Sequence, residues 1–183
     1  ETELNISDIC YSLLNGRSNL SEKLTVICPI KSDKDAKKHV IAALSAFVDG
    51  KNYDGLVYGS SKGEKPKLAF ICSGQGPQWY GMGRQLMAHS KVFKDTIKEI
   101  DAIFKKLSKG TSLLADMNKD EKHSRISETR IAQPAIMAIQ IALIHLWRSL
   151  GVEPQGIVGH SIGDVAAAYC AGSLTLPQAV SVI

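Results

Sequence analysis

The sequence lacks most of the features that would place it outside the ordinary globular proteins. Its four cysteines are widely scattered, with no CxxC pair and no metal-type pairing with histidine: Cys10, Cys28, Cys72 and Cys170. This spacing predicts no metal site and favours a reduced, intracellular protein. The first residues carry no basic region followed by an apolar run, so no secretory signal is visible and we expect a cytoplasmic protein.

The sequence also has little excess of one charge. Its formal net charge is only +4, and lysines alternate with acidic residues at 91–107 and 118–125. Interspersed charges of this kind are typical of a solvated surface and not of a nucleic-acid stripe. We therefore expect no nucleic-acid partner.

No apolar run is long enough to predict a membrane span. The most apolar stretch, 131–147, is shorter than the 18 residues or more that a span requires. It is also interrupted by Gln133, Pro134, Gln140 and His145. The stretch therefore predicts a buried core helix, and we expect no membrane partner.

Strand and helix patterns alternate along the chain and predict two α/β units, with a polar boundary ending at residue 66. In residues 1–66 the pattern predicts strands at 23–30 and 53–59 around a helix at 35–50. In residues 67–183 it predicts buried strands at 67–73 and 155–159 and helices at 91–107, from a first-turn Pro134 to about Gly151, at 162–172, and from about Pro177. The predicted fold class is α/β, a parallel sheet with helices on both faces, preceded by a small α/β subdomain.

Ser161 lies in a G-x-S-x-G pattern between the second buried strand and the helix that follows it. A nucleophile elbow needs this arrangement, because the tight turn admits only small flanking residues, here Gly159 and Gly163. The backbone N–H of Ile162 would then face an oxyanion formed beside the serine, aided by the helix dipole. The alternative is a small-residue turn with an inert serine.

A second glycine-rich segment, "SGQGPQW" (73–79), directly follows the first buried strand. Gly74 and Gly76 allow the backbone to approach a ligand closely, so the N–H of Gln75 could serve as a second oxyanion donor. A plain glycine-rich turn is the alternative. A phosphate cradle is disfavoured, because no GxGxxGK pattern is present.

Three segments in order resemble the acyltransferase domain of type I polyketide synthases and animal-type fatty acid synthases. They are "FICSGQGPQWYGMGRQL", "TRIAQPAIMAIQIALIHLWRSLGVEP" and "GIVGHSIGDVAAAYCAGSLTLPQAV". The resemblance covers 67–183 nearly without interruption and implies the α/β-hydrolase-like acyltransferase core. By position, it implies that residues 1–66 are the C-terminal part of the linker between the ketosynthase and the acyltransferase.

The resemblance also implies a ping-pong reaction with a role for each matched residue. The family's nucleophile falls on Ser161, its oxyanion donors fall on the backbone of Gln75 and Ile162, and its pocket residues fall on Gln133 and His160, beside Gly74 and Gly76. The serine would take an acyl group from malonyl-CoA or a related thioester and pass it to the phosphopantetheine thiol of an acyl carrier protein. No bound cofactor is implied. Ile162 favours malonyl, and Asp164 replaces the family's usual glutamate.

The sequence contains no convincing base for Ser161. His160 is adjacent and would point to the opposite side of an extended backbone, and His145 lies in the apolar helix. His39, His89 and His123 have polar, lysine-rich neighbours typical of surface residues. In the family, the catalytic histidine and the arginine that binds the malonyl carboxylate lie downstream of residue 183. We therefore expect a fragment of a larger synthase, inactive alone and completed by the rest of the acyltransferase domain.

Two other functions fit parts of the pattern. The G-x-S-x-G motif also serves serine hydrolases, namely esterases and patatin-like lipases, although these seldom carry "GQGPQW" upstream. A non-catalytic docking or scaffold module is the other alternative. The preferred acyl group, the product, the oligomeric state and the choice between fatty acid and polyketide synthase stay open.

Overall fold

The computed structural model describes residues 4–28, 32–63 and 66–183. The chain divides into two compact units, which we call the N-terminal unit (Glu1–Pro66) and the C-terminal unit (Lys67–Ile183). The role of the N-terminal unit as a ketosynthase–acyltransferase linker stays a prediction.

The N-terminal unit consists of two helices and a two-stranded antiparallel sheet. Its elements are α1 (Ile6–Gly16), β1 (Glu22–Val26), α2 (Asp33–Val48) and β2 (Leu56–Ser60). Helix α1 has no counterpart among the sequence predictions. Its first backbone N–H donates to Asp33 Oδ1 at the start of α2 (2.7 Å). The strand predicted at 23–30 ends at Val26, and residues 29–31 lie outside the described residues.

The C-terminal unit packs its helices against a parallel pair of strands. Its elements are β3 (Ala69–Cys72), α3 (Arg84–His89), α4 (Lys91–Leu107), α5 (Leu113–Met117), a 3-10 turn (Glu121–His123), α6 (Thr129–Ser149), β4 (Gly156–Gly159), α7 (Gly163–Cys170) and α8 (Leu176–Ser181). Phe70 of β3 is paired with Ile157 of β4 in parallel register. The predicted α/β class is confirmed.

Helix α6 begins five residues earlier than the sequence predicted. Pro134 lies inside the helix and not in its first turn. The missing proline N–H leaves the carbonyl of Arg130 without its usual helical donor. The helix nevertheless starts at Thr129, because Ile131 and Ala132 already belong to its buried face.

Helix α6 alone is long and apolar enough, by length and composition, to cross a membrane among the described residues. Ten of its 21 residues are buried within the C-terminal unit. This burial is what a core helix of a globular protein requires, and it agrees with the interpretation made from the sequence.

The two strands of the C-terminal unit are covered differently on their two faces. Phe70 and Ile157 pack against the hydrophobic core. Their neighbours Ile71 and Val158 point to the other face and are 82% and 61% exposed. The prediction that both strands are wholly buried is therefore wrong for this part of the chain, because alternate residues of a strand face opposite sides.

Candidate active site

Ser161 occupies a sharp turn between β4 and α7. Its backbone adopts φ +54°, in the left-handed region that residues with a Cβ rarely enter. Such a conformation costs on the order of 1–3 kcal/mol and persists only where the surrounding structure enforces it. This is the backbone of a nucleophile elbow, and it presents the exposed Ser161 at the N-terminal end of α7.

The glycines on either side of the turn are required by close backbone contacts. A Cβ at Gly159 would lie 2.5 Å from the backbone nitrogen of Asp164. A Cβ at Gly163 would lie 2.6 Å from the carbonyl carbon of Cys72. Since real Cβ atoms do not approach backbone this closely, both positions exclude every larger residue unless the elbow moves.

The glycine-rich segment after β3 lies directly against the elbow. We call residues Ser73–Gly76 the glycine loop. A Cβ at Gly74 would lie 2.7 Å from His160 Nδ1, and one at Gly163 would lie 2.7 Å from the carbonyl oxygen of Ser73. The fold therefore brings the glycine loop, His160 and Ser161 together, as the sequence led us to expect.

Two backbone N–H groups at this junction are available to a ligand. The Gly163 and Asp164 N–H groups bond back to the carbonyls of His160 and Ser161, both at 2.9 Å. The N–H groups of Gln75 and Ile162 donate to no atom of the described chain. Free donors beside an elbow serine, with the positive end of the α7 dipole behind one of them, can stabilise negative charge on an oxygen.

Helix α6 forms the wall beside the glycine loop through Gln133 and two residues that the sequence analysis did not single out. Gln133 Nε2 donates to Gln75 Oε1 (3.2 Å), and Gln75 Nε2 donates to Thr129 Oγ1 (3.3 Å). Gln140 Nε2 donates to the carbonyl oxygen of Ser73 (2.7 Å) and to Ser73 Oγ (3.2 Å). The sequence signal for these contacts was the recurrence of polar residues, Thr129, Gln133 and Gln140, on one face of an otherwise apolar helix.

No histidine of the described chain forms a hydrogen bond with Ser161. His145 Nε2 contacts the Tyr169 hydroxyl (2.7 Å), His89 contacts a carbonyl of its own helix, and His123 contacts Asp120. His39 lies against Tyr53 in the N-terminal unit. The described chain thus holds an elbow serine and two candidate oxyanion donors, but no base in contact with the serine.

The Cys72 thiol does not compete with Ser161 as a nucleophile. Cys72 ends β3, and its carbonyl accepts from the His160 N–H (3.0 Å). Burial, with a smaller contribution from Cys170, raises the pKa of the Cys72 thiol to about 11. A thiol with so high a pKa stays protonated near neutral pH and is inert.

Comparison with known proteins identifies the family to which this site belongs. Residues 69–183 match the family model described as "Acyl transferase domain". The highly reducing polyketide synthase rstn3 of Aspergillus nomiae is 37% identical over 180 residues, which cover 97% of this chain and 7% of that protein. The chain therefore belongs to the acyltransferase domain family, a family of enzymes, and its curated relatives are polyketide synthases.

Solved structures of acyltransferases share the fold. The acyltransferase domain from the second module of the salinomycin polyketide synthase is 36% identical, with a TM-score of 0.71 over 97% of this chain and 40% of that one. The malonyl-CoA:ACP transacylase of Synechocystis sp. PCC 6803 is 28% identical, with a TM-score of 0.54 over 63% of this chain and 37% of that one. This chain thus spans less than half of either solved protein, and a small part of the curated polyketide synthase.

Proposed function

We propose that this chain supplies the nucleophile half of an acyltransferase active site within a multidomain polyketide or fatty acid synthase. Ser161 attacks the thioester carbonyl of malonyl-CoA or a related acyl-CoA. Its proton passes to the catalytic histidine of the remaining domain, and the C–S bond breaks to release CoA as its thiol. The acyl-enzyme then passes its acyl group to the phosphopantetheine thiol of an acyl carrier protein. The observation that carries the proposal is the strained backbone of Ser161, +54° in φ, at the end of β4. No bound cofactor takes part.

The two free backbone donors have a defined role in this reaction. Attack by Ser161 turns the thioester carbonyl oxygen into an oxyanion, and the N–H groups of Gln75 and Ile162 donate to it. Preorganised donors of this kind act on charge that develops only in the transition state, so they raise the rate of acylation more than the affinity for the thioester. By resemblance to the family, His160 and Gln133 line the substrate pocket beside Ser161.

Partners outside the chain complete the reaction. By resemblance to the family, the catalytic histidine and the arginine that binds the substrate carboxylate come from the remainder of the acyltransferase domain. The N-terminal unit joins this domain to a ketosynthase, and the synthase is cytoplasmic. The Synechocystis relative, which is a malonyl-CoA:ACP transacylase, and the aliphatic Ile162 both support malonyl as the acyl group.

Intact-mass measurement of the acyl-enzyme tests the proposal in the parent synthase, the multidomain protein that we propose contains this chain. Malonyl-CoA without carrier protein should leave a lasting adduct on Ser161, and carrier protein should remove it. Ser161→Ala should lower the transfer rate by at least about a thousandfold, because the nucleophile is lost. Ser181→Ala, at an exposed serine of α8, is the matched control. Rapid release of free malonate without acceptor would instead identify a hydrolase, and an unchanged Ser161→Ala variant would indicate a scaffold.

A further inference from the structure

The glycine loop is held in place by side chains and not by its own backbone. Within the described residues, no backbone–backbone hydrogen bond involves Ser73, Gly74, Gln75 or Gly76. Gly76 has φ +135°, a conformation open only to glycine. A segment with two glycines and no backbone ladder has little intrinsic rigidity. Within its own stretch of chain the Gly76 N–H donates to Gln78 Oε1 (2.7 Å), and the other hydrogen bonds to the loop come from a neighbouring element.

That neighbouring element is α6, through a row of three residues that we call the polar stripe: Thr129, Gln133 and Gln140. Spacings of four and seven residues place them on one face of the helix. Together they contact the loop at two residues, since Gln140 binds Ser73 while Gln133 and Thr129 both contact the side chain of Gln75. The side chain of Gln75 is thereby tied to α6, and its backbone N–H is left free.

Gln140 is retained at an energetic cost. Its Oε1 is buried without a hydrogen-bond partner in the described chain. A buried carbonyl without a partner is unfavourable, and a methionine or leucine at this position would avoid that cost. The residues flanking this part of the helix, Met137, Ala138 and Ile141, are fully buried and apolar. The contact with Ser73 is therefore what the amide at this position contributes.

We propose that Thr129 and Gln140 are positioning residues that fix the backbone N–H of Gln75 as an oxyanion donor. The inference rests on the proposed function, because it assigns these residues to the same Ser161 reaction. Neither residue touches substrate. Each acts through the glycine loop, so its loss should weaken transition-state stabilisation and leave ground-state binding of the thioester nearly unchanged.

The test is the acylation of Ser161 by malonyl-CoA in the parent synthase, measured by rapid quench and intact mass over a range of thioester concentrations. Gln140→Met and Thr129→Val keep the side-chain size and remove the hydrogen bonds. Each should lower the maximal acylation rate about tenfold, less than the 10²–10³-fold lost when a donor is deleted. The half-saturating concentration should change less than about twofold, since ground-state contacts are kept.

Matched variants separate positioning from general destabilisation. Thr129→Ser keeps the hydroxyl and should restore the rate to within about threefold of wild type. Thr96→Val removes a buried hydroxyl of α4 that donates to the carbonyl oxygen of Val92 in its own helix (2.9 Å), and it should leave the rate unchanged.

Each outcome is decisive. Stripe variants that acylate like Thr96→Val, or that change the half-saturating concentration as much as the rate, overturn the positioning role. If Gln140→Met does not fold, the Thr129→Val and Thr129→Ser pair decides, because Thr129 is the first residue of α6 and is exposed. A wild-type protein that forms no adduct on Ser161 rejects the proposed function itself, which is a separate result.

Discussion

The two units of the chain bury their apolar side chains to very different extents. Among the described residues of the N-terminal unit, the buried apolar side chains are those of Ile6, Ala36 and Ala43, whereas Leu14 and Val48 are largely exposed. The C-terminal unit buries a continuous cluster that includes Phe93, Ile97, Ile100, Met137 and Ile141. The candidate site lies in the unit with the larger core.

This difference explains where a strained elbow can be kept. The unfavourable backbone of Ser161 must be compensated by packing around it, and α7 is supported by α6 and by both strands of the parallel pair. The helices of the N-terminal unit bury only two alanines and one isoleucine among the described residues. Local stability follows the density of buried contacts, so we expect the C-terminal unit to be the more stable of the two.

The largest effect is expected from a matched pair of phenylalanine truncations. Phe93 is 0% exposed in the C-terminal core, while Phe47 in the N-terminal unit is 41% exposed and makes an edge contact with Tyr58. Phe93→Ala should lower the free energy of unfolding by about 3–5 kcal/mol, and Phe47→Ala by about 1 kcal/mol or less. Both tryptophans, Trp79 and Trp147, lie in the C-terminal unit, so their fluorescence in urea measures the first change. Hydrogen exchange measures the second, and equal losses would contradict the comparison.

A pair of aspartates should give a smaller difference. Asp116 is buried in the C-terminal unit and accepts from Arg125 at 2.6 and 2.8 Å. Burial would raise its pKa, but the hydrogen bonds and charges of Arg125 and Lys119 outweigh burial and hold the pKa below its ordinary value. Asp49 in the N-terminal unit pairs with Lys51 on the exposed surface (2.9 Å).

Asp116→Asn should therefore lower the unfolding free energy by about 2 kcal/mol, and Asp49→Asn should cause no measurable change. Because a lowered pKa stabilises only the ionised form, the Asp116 contribution is present above about pH 4 and is lost as the pH falls through the folded-state pKa. Urea unfolding at pH 7 and pH 3 checks both statements. A variant that is equally destabilised at both pH values would contradict the assignment to the Asp116 charge.

The sequence predicted the elbow correctly because its requirements are local. Two glycines around Ser161, a strand before it and a helix after it leave few other conformations, and the close approach of Gly163 to Cys72 follows from that geometry. Helix α4 was predicted with its observed bounds, Lys91–Leu107, because its charged and apolar faces alternate with helical period. In the structure its N-cap Ser90 accepts from the Phe93 N–H (3.2 Å).

The elements that the sequence did not predict depend on tertiary contacts. The start of α6 was placed at Pro134 from a general preference for proline in the first turn, but burial of Ile131 overrode that preference. The polar stripe was not recognised, because a glutamine in an apolar helix shows its purpose only when the loop it binds is known. The sequence also did not predict that one face of the β3–β4 pair is exposed. A short apolar run does not show which of its two faces packs against the core.

Two histidine–tyrosine pairs, one in each unit, provide the finest comparison. His145 and Tyr169 stack nearly parallel (10°) and share a 2.7 Å contact that joins α6 to α7. His39 and Tyr53 meet edge-on (70°) with ring centroids 5.1 Å apart, and Nε2 of His39 is buried without a partner in the described chain. Loss of the tyrosine hydroxyl should therefore matter only in the first pair.

Tyr169→Phe should lower the unfolding free energy by about 1 kcal/mol, the usual net contribution of a hydrogen bond, whereas Tyr53→Phe should be close to neutral. Burial, and to a lesser degree the positive charge of Arg148, lower the pKa of His145, with Glu99 acting in the opposite direction. The folded state therefore favours the neutral imidazole. We assign its Nε2 as the acceptor of a hydrogen bond donated by the Tyr169 hydroxyl.

The pH dependence of this contact has a definite sign. A histidine whose pKa is lowered by folding contributes its full stability above about pH 6.5, its ordinary pKa, and loses it as the pH falls below that value, because the unfolded chain then binds the proton more readily. The fluorescence-monitored stability of wild type should therefore decline between pH 7 and pH 5.5, and His145→Gln should reduce that decline. If the decline in stability persists unchanged in His145→Gln, or disappears in His39→Gln, the group responsible for it does not lie in the α6–α7 contact.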